Sequence, residues 1–231
     1  ATVELSDAGS GSATSGADYQ AVATQTLTFA AGSSDGATQS VTVTATADAD
    51  VEGDETINLA LASVTGTGVS HGTPAAHTVT ITDDDAATIA FAAGTSTAAE
   101  AGGTSTVTVT LTVPGGGSLK GAATVELSDA GTGSATSGAD YTAVPTQTLT
   151  FAAGSSDGAT QSLTVTALAD ADVEGDETIH LALASVTGAG VSLGTPVAHT
   201  VTVTDDDSAT IAFAAASSTA DENGGSSTVT V

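Results

Sequence analysis

Cations are almost missing from this chain. Lys120 is the only Lys or Arg among 231 residues, against 27 Asp and Glu, and the net charge is −26. A field of that sign repels nucleic acid and anionic lipid, so neither is an expected partner. Cysteine is absent, which excludes a disulfide framework and thiol chemistry without assigning a compartment. No apolar run approaches the roughly 18–20 residues needed to cross a bilayer, so no direct membrane contact is expected. There is no initiator Met and no leader-like segment, and any export signal is expected to lie outside these residues. No convincing helical periodicity is found either.

What the chain does have is repetition and alternation. Residues 1–109 align without gaps to residues 123–231, an offset of 122, with 16 differences. Most are mild, such as Val41 for Leu163; Asn58 for His180 and His71 for Leu193 are the boldest. Within one period, "ATIAFA" (87–92), "STVTVTLTV" (105–113), "ATVELS" (123–128), "QTLTF" (147–151), "QSLTVTAL" (161–168), "ETIHLALASV" (177–186) and "AHTVTVTD" (198–205) alternate apolar and polar residues. Val, Ile and Thr suit a pleated surface, and Gly, Ser and Asp punctuate the segments. This regularity argues against a disordered acidic tail. The expected fold is all-β: tandem immunoglobulin-like antiparallel sandwiches of about seven strands per 122-residue repeat. The phase places one complete repeat at 86–207, the C-terminal part of another at 1–85, and the first strands of a third at 208–231. One or two residues separate each "DDD" from the next strand, so adjacent units should abut.

The acids are not evenly spread. In the complete unit, ten of 13 occupy four places: Glu100, Asp140, the run from Asp170 to Glu177, and the triplet Asp205, Asp206 and Asp207. In a seven-strand sandwich those four places fall at one pole. Two carboxylates 5 Å apart repel by about 3 kcal/mol at an effective dielectric near 20, and one lysine cannot neutralise ten. Oxygen donors in this number suit Ca²⁺, which takes roughly 6–8 of them, while Mg²⁺ keeps its water. Zinc is disfavoured without cysteines or paired histidines. A salt-adapted surface would spread acids over every outward face, where this chain has Thr and Ser. "DADVEG" imitates the start of an EF-hand loop, but its twelfth position is Leu59 in one copy and Leu181 in the other, and flanking helices are missing. The EF-hand reading fails. The four histidines, His71, His77, His180 and His199, read as ordinary surface or strand residues, Tyr19 and Tyr141 as loop packing, and the Gly-rich "VPGGGSLKGA" (113–122) as a flexible hairpin. No catalytic constellation is found, and the chain is not expected to be an enzyme.

"SGADY", "DADVEGDETI" with alternating Leu after it, and the closing "HTVTITDDD" together resemble the Calx-β domain, found in sodium–calcium exchangers and in arrays along large bacterial surface adhesins. The resemblance implies a Ca²⁺ site, with several ions per complete repeat. Carried over position by position, its ligands are Glu100, Asp140, Asp170, Glu174, Glu177, Asp205, Asp206 and Asp207, with Asp172 as an additional candidate. In the first copy the matching residues are Asp18, Asp48, Glu52, Glu55, Asp83, Asp84 and Asp85, with Asp50 in the place of Asp172; Glu222 is the early Glu of the third. The implied role is an extracellular, cell-surface spacer, bacterial by the resemblance, whose partners are neighbouring repeats; the phase of the repeats adds the expectation of other copies joined end to end. The alternatives are a Ca²⁺-sensing module of a transporter and an accessory module of a secreted enzyme.

Overall fold

Alternation along each segment becomes strand. The computed structural model describes residues 1–231 and contains 13 strands and a single 3₁₀ turn, Pro114–Gly116. In order they are β1 (Thr2–Asp7), β2 (Gln25–Thr28), β3 (Glu55–Thr65), β4 (Ala76–Ile81), β5 (Ala87–Phe91), β6 (Thr95–Ala99), β7 (Thr104–Thr112), β8 (Ala123–Asp129), β9 (Gln147–Phe151), β10 (Thr160–Thr166), β11 (Glu177–Thr187), β12 (Val191–Leu193) and β13 (Ala198–Thr204). No helix is long and apolar enough to cross a membrane.

Strands β5 to β13 close one sandwich. A four-stranded sheet ordered β10-β7-β5-β12 faces a five-stranded sheet ordered β6-β13-β11-β8-β9. Most pairings are antiparallel; β12 with β5 and β6 with β13 are parallel. The strand that opens the unit therefore splits between both sheets, β5 in one and β6 in the other. The inward faces of the two sheets carry Ile89, Val107, Val109, Leu111, Val125 and Leu127, all at most 1% exposed. Both β6 and β12 escape a period-two search. Each is short, each pairs in parallel without a hairpin turn, and Ala98 is the only buried apolar residue of β6.

The sandwich also buries a polar chain. His199, on β13, is 3% exposed, a strand residue as expected but a buried one. Its Nδ1–H donates to the Ala93 carbonyl at 2.7 Å, which leaves Nε2 to accept the Ser96 hydroxyl at 2.7 Å. Ser105 donates to Ser96 in turn, at 2.6 Å. The imidazole lies 5.4 Å from the Phe91 ring. Every polar atom in this chain has a partner, which is what makes its burial tolerable.

Strands β1 to β4 form a single four-stranded sheet ordered β2-β1-β3-β4. Its buried cluster holds only Tyr19, Ile57 and Leu59, while Leu5, Val43, Val79 and Ile81 are half-buried against it. Residues 38–44 repeat 160–166 with one difference, Val41 for Leu163, yet they form no strand while 160–166 are β10. The reason is pairing: β10 bonds along its length to β7, and residues 38–44 have no such neighbour. Residues 208–231 form no strand and are exposed throughout.

Candidate metal centre and the joint beside it

Four segments deliver carboxylates to one pole of the complete sandwich. Glu100 sits in the turn after β6, where its N–H donates to the Thr204 carbonyl at 3.0 Å. Asp140 ends the turn 136–140: its N–H bonds the Thr136 carbonyl at 3.0 Å, its carboxylate accepts the Thr136 N–H, and its carbonyl accepts Leu168 N–H at 2.8 Å. Next to it Tyr141 is buried and donates its hydroxyl to Asp129. Burial first, and that carboxylate second, push the phenol up to about 12. Residues 167–176 connect β10 to β11, Glu177 opens β11, and 205–207 follow β13.

The structure brings Glu100, Asp170 and Asp207 together in one group, and Asp140, Asp170 and Glu174 in a second, each with ligand oxygens within 4.8 Å of one another. Ions coordinated at about 2.3–2.6 Å can span oxygens at that separation. Asp170 belongs to both groups and is placed to bridge. Glu177 lies against Asp140, and its Oε2 is buried with no hydrogen-bond partner. Such an orphaned acceptor is costly unless something cationic meets it. Burial, then Asp140, Glu174 and Glu100, raise Glu177 to about 7. Burial, and then acidic neighbours, also raise Glu100, Glu174 and Asp207. The donor set is all oxygen and uncompensated, which fits a hard cation such as Ca²⁺.

Three of the sequence candidates take other places at this pole. Asp205 is a staple: Oδ2 accepts the N–H groups of Glu174 (3.2 Å) and Gly175 (2.8 Å), and Oδ1 accepts that of Asp207 (2.8 Å). These amides, led by that of Asp207, hold its carboxyl below the usual range. Asp206 is exposed and in neither group, and exposed Asp172 gives its N–H to Asp170 at 2.8 Å. In the first copy the groups are Asp18, Glu52 and Glu55, and Asp48, Asp50 and Glu52. Asp83, Asp84 and Asp85 line the same concavity of about 60 Å³, and Asp83 repeats the staple on Glu52 (3.0 Å) and Gly53 (2.7 Å). Glu222 lies in the exposed segment and joins no group.

The segment 113–122, expected as a flexible hairpin, is instead a clasp. Val51, from the acidic connection of the first unit, is 2% exposed and belongs to the core of the complete sandwich, beside Leu119 at 1%. Val51 N–H donates to the Ser118 carbonyl at 2.9 Å, and Lys120 N–H to the Val51 carbonyl at 3.0 Å. Asp50 accepts the Ser118 N–H (2.7 Å) and hydroxyl (2.9 Å), and pairs with Lys120 Nζ at 2.6 Å. Lys120, then the Ser118 N–H, hold Asp50 below the usual carboxylate range. Gly117 is required here, because a Cβ on it would fall 1.6 Å from the Ala49 carbonyl oxygen. One signal for this joint stood in the sequence, a single cation in a chain of acids; its partner did not.

The Calx-beta domain sequence profile matches residues 1–85 and again residues 83–207. A search of curated proteins returned no match. Among solved structures, the apo-form Calx CBD1 domain is similar at 26% identity, covering 52% of this chain and 98% of that one, with a TM-score of 0.43. The CBD12 structure from CALX1.2 is 26% identical over 52% of this chain and 45% of its own, at a TM-score of 0.42. The calcium-binding domain CBD12 of CALX1.1 is 28% identical over 55% and 50%, also at 0.42. With its profile matched twice in tandem over most of the residues, the chain belongs to the Calx-beta domain family.

Proposed function

We propose that this chain is a Ca²⁺-binding structural array whose ions stiffen the joints between repeats, in an extracellular adhesin or surface fibre. The observation that carries the reading is the double use of one connection. Asp50 shares a carboxylate group with Asp48 and Glu52, and the same carboxylate holds Ser118 and Lys120 of the next unit. An ion that orders the connection thereby orders the joint. Near-identical repeats suit a spacer, since each link performs one task. The metal ligands we assign are Glu100, Asp140, Asp170, Glu174, Glu177 and Asp207, with Asp18, Asp48, Asp50, Glu52, Glu55 and Asp85 in the first copy. Asp205 and Asp83 serve as the staples that hold those sets, and no catalytic role is assigned.

Thermal melting with Ca²⁺ and with chelator tests the metal: a raised midpoint in Ca²⁺ is expected, and identical midpoints would defeat the reading. The family supports a second role, as a Ca²⁺-sensing module of a transporter. Affinity separates the two. A sensor must titrate at about 10⁻⁷–10⁻⁵ M, whereas an extracellular spacer works at about 10⁻⁴–10⁻³ M. Calorimetric titration placing the midpoint in the lower range would favour the sensor.

A further inference from the structure

The only Lys or Arg of the chain stands in a carboxylate group. Lys120 Nζ lies 2.6 Å from Asp50 Oδ2, and Asp48 and Glu52 are near enough to feel the same charge. Those three acids form one of the two groups of converging oxygens in the 1–85 unit, yet the lysine comes from the 86–207 unit. Both oxygens of Asp50 are taken. Oδ1 accepts the Ser118 N–H and hydroxyl, and Oδ2 holds the ammonium. An ion that enters the group at Oδ2 must therefore expel Lys120, because a divalent ion and an ammonium repel each other at such range.

The joint separates what would move from what would stay. Leu119, 1% exposed, anchors the clasp, and its N–H donates to the Ser155 carbonyl at 2.9 Å. Lys120 N–H is bonded to the Val51 carbonyl at 3.0 Å. From the other side the turn 188–190 grips the same connection: a Cβ on Gly190 would fall 2.6 Å from Val51 Cγ1, and one on Gly53 2.8 Å from Ala189 Cβ. Ser118 keeps Asp50 Oδ1 in place. Only the lysine side chain is free to leave, being 51% exposed on a flexible stem. We infer that Lys120 is a tethered counter-cation: it fills the Asp48–Asp50–Glu52 group in the metal-free chain and gives way to an entering Ca²⁺, so that one repeat sets the ion affinity of its neighbour. Lys120 meets no carboxylate of the groups around Asp170, whose affinity is therefore independent of it. The displacement rests on the Ca²⁺ reading; the metal-free contact does not.

The test is calorimetric titration of the 231-residue chain with CaCl₂, comparing the wild type with Lys120→Gln, while NMR follows the lysine side chain. Because there is one lysine, lysine labelled at Cε reports this residue alone. Asp170→Asn, added to both proteins, removes the bridging ligand of the 86–207 unit, so that the joint is read separately. Lys120→Gln should bind Ca²⁺ there about fivefold more tightly, the scale of an exposed ion pair, and Lys120→Arg should keep the wild-type affinity. A merely structural lysine predicts the opposite sign, since a loosened joint binds more weakly. The Cε signal should move toward that of free lysine in step with the heat, and far less in NaCl at equal ionic strength. Equal or weaker binding in Lys120→Gln, or a Cε signal unmoved at saturation, would overturn the displacement and leave the Ca²⁺ reading intact. No heat from any of these proteins would sink the Ca²⁺ reading and the displacement with it. The metal-free contact has its own readout in chelator, where the Val51 amide should exchange faster in Lys120→Gln than in the wild type.

Discussion

Glu177 sits at the start of β11 with one carboxylate oxygen buried and unpartnered. Burial and then Asp140 raise its pKa from 4.5 to about 7, so the metal-free fold prefers it protonated. A group raised in the folded state contributes stability that is fully present below its unfolded value and is lost as pH rises through the folded one. The window is therefore about 4.5 to 7, and Glu55 shows the same elevation in the first copy. In chelator, the melting midpoint should fall as pH is raised from 5 to 8, while in saturating Ca²⁺ the fall should be much smaller. Ca²⁺ binding should also release protons near pH 6.5, seen as a buffer-dependent heat. Glu177→Gln removes the charge but keeps the shape. It should raise the midpoint in chelator above that of the wild type at pH 8 and shrink the increment given by Ca²⁺; an unchanged increment would remove Glu177 from the site.

Two copies of one connection make a matched pair at the scale of elements. Val51 is inserted in the next unit's core at 2% exposure, and Val173, in the identical sequence, is 56% exposed. Losing a buried Val costs about 1–3 kcal/mol by area and cavity, whereas an exposed one costs within about 0.5 kcal/mol. Val51→Ala should therefore lower the denaturation midpoint clearly and Val173→Ala hardly at all, despite flanking residues in common. Equal effects would mean that the clasp does not hold in solution. The same contrast shows how much was legible. Period-two alternation located seven of the nine strands of the complete unit, because each of those turns alternate apolar residues into the core. It missed β6 and β12, whose parallel pairing leaves no turn signature. The four acidic places were legible as one pole from strand order alone. The joint was not, because Leu119, Val51 and Lys120 look like loop residues until a neighbouring unit meets them. Nor was the fate of residues 38–44, which carry the sequence of a strand and none of its pairing. Hydrogen exchange should find amides 160–166 protected and 38–44 fast-exchanging.

Across the whole molecule, 27 acidic residues against one cation make any stabilising ion ambiguous. Monovalent salt relieves repulsion between exposed carboxylates by screening, over a length of about 10 Å at 0.1 M ionic strength. Coordination acts differently, since it replaces water on specific oxygens and requires the converging groups around Asp170 and Glu52. The two effects separate by ion type at fixed ionic strength. NaCl should raise the midpoint of the metal-free protein gradually, and Mg²⁺ should add little beyond its ionic strength, because it holds its water and demands a tighter octahedron. Ca²⁺ should raise the midpoint in a saturable way at far lower concentration, and Asp170→Asn, in which the bridging carboxylate is lost, should remove much of that rise while leaving the NaCl response unchanged. If NaCl at matched ionic strength reproduced the whole effect of Ca²⁺, the acidic pole would be a screened surface, and the joint between the units would rest on the Val51–Leu119 clasp alone.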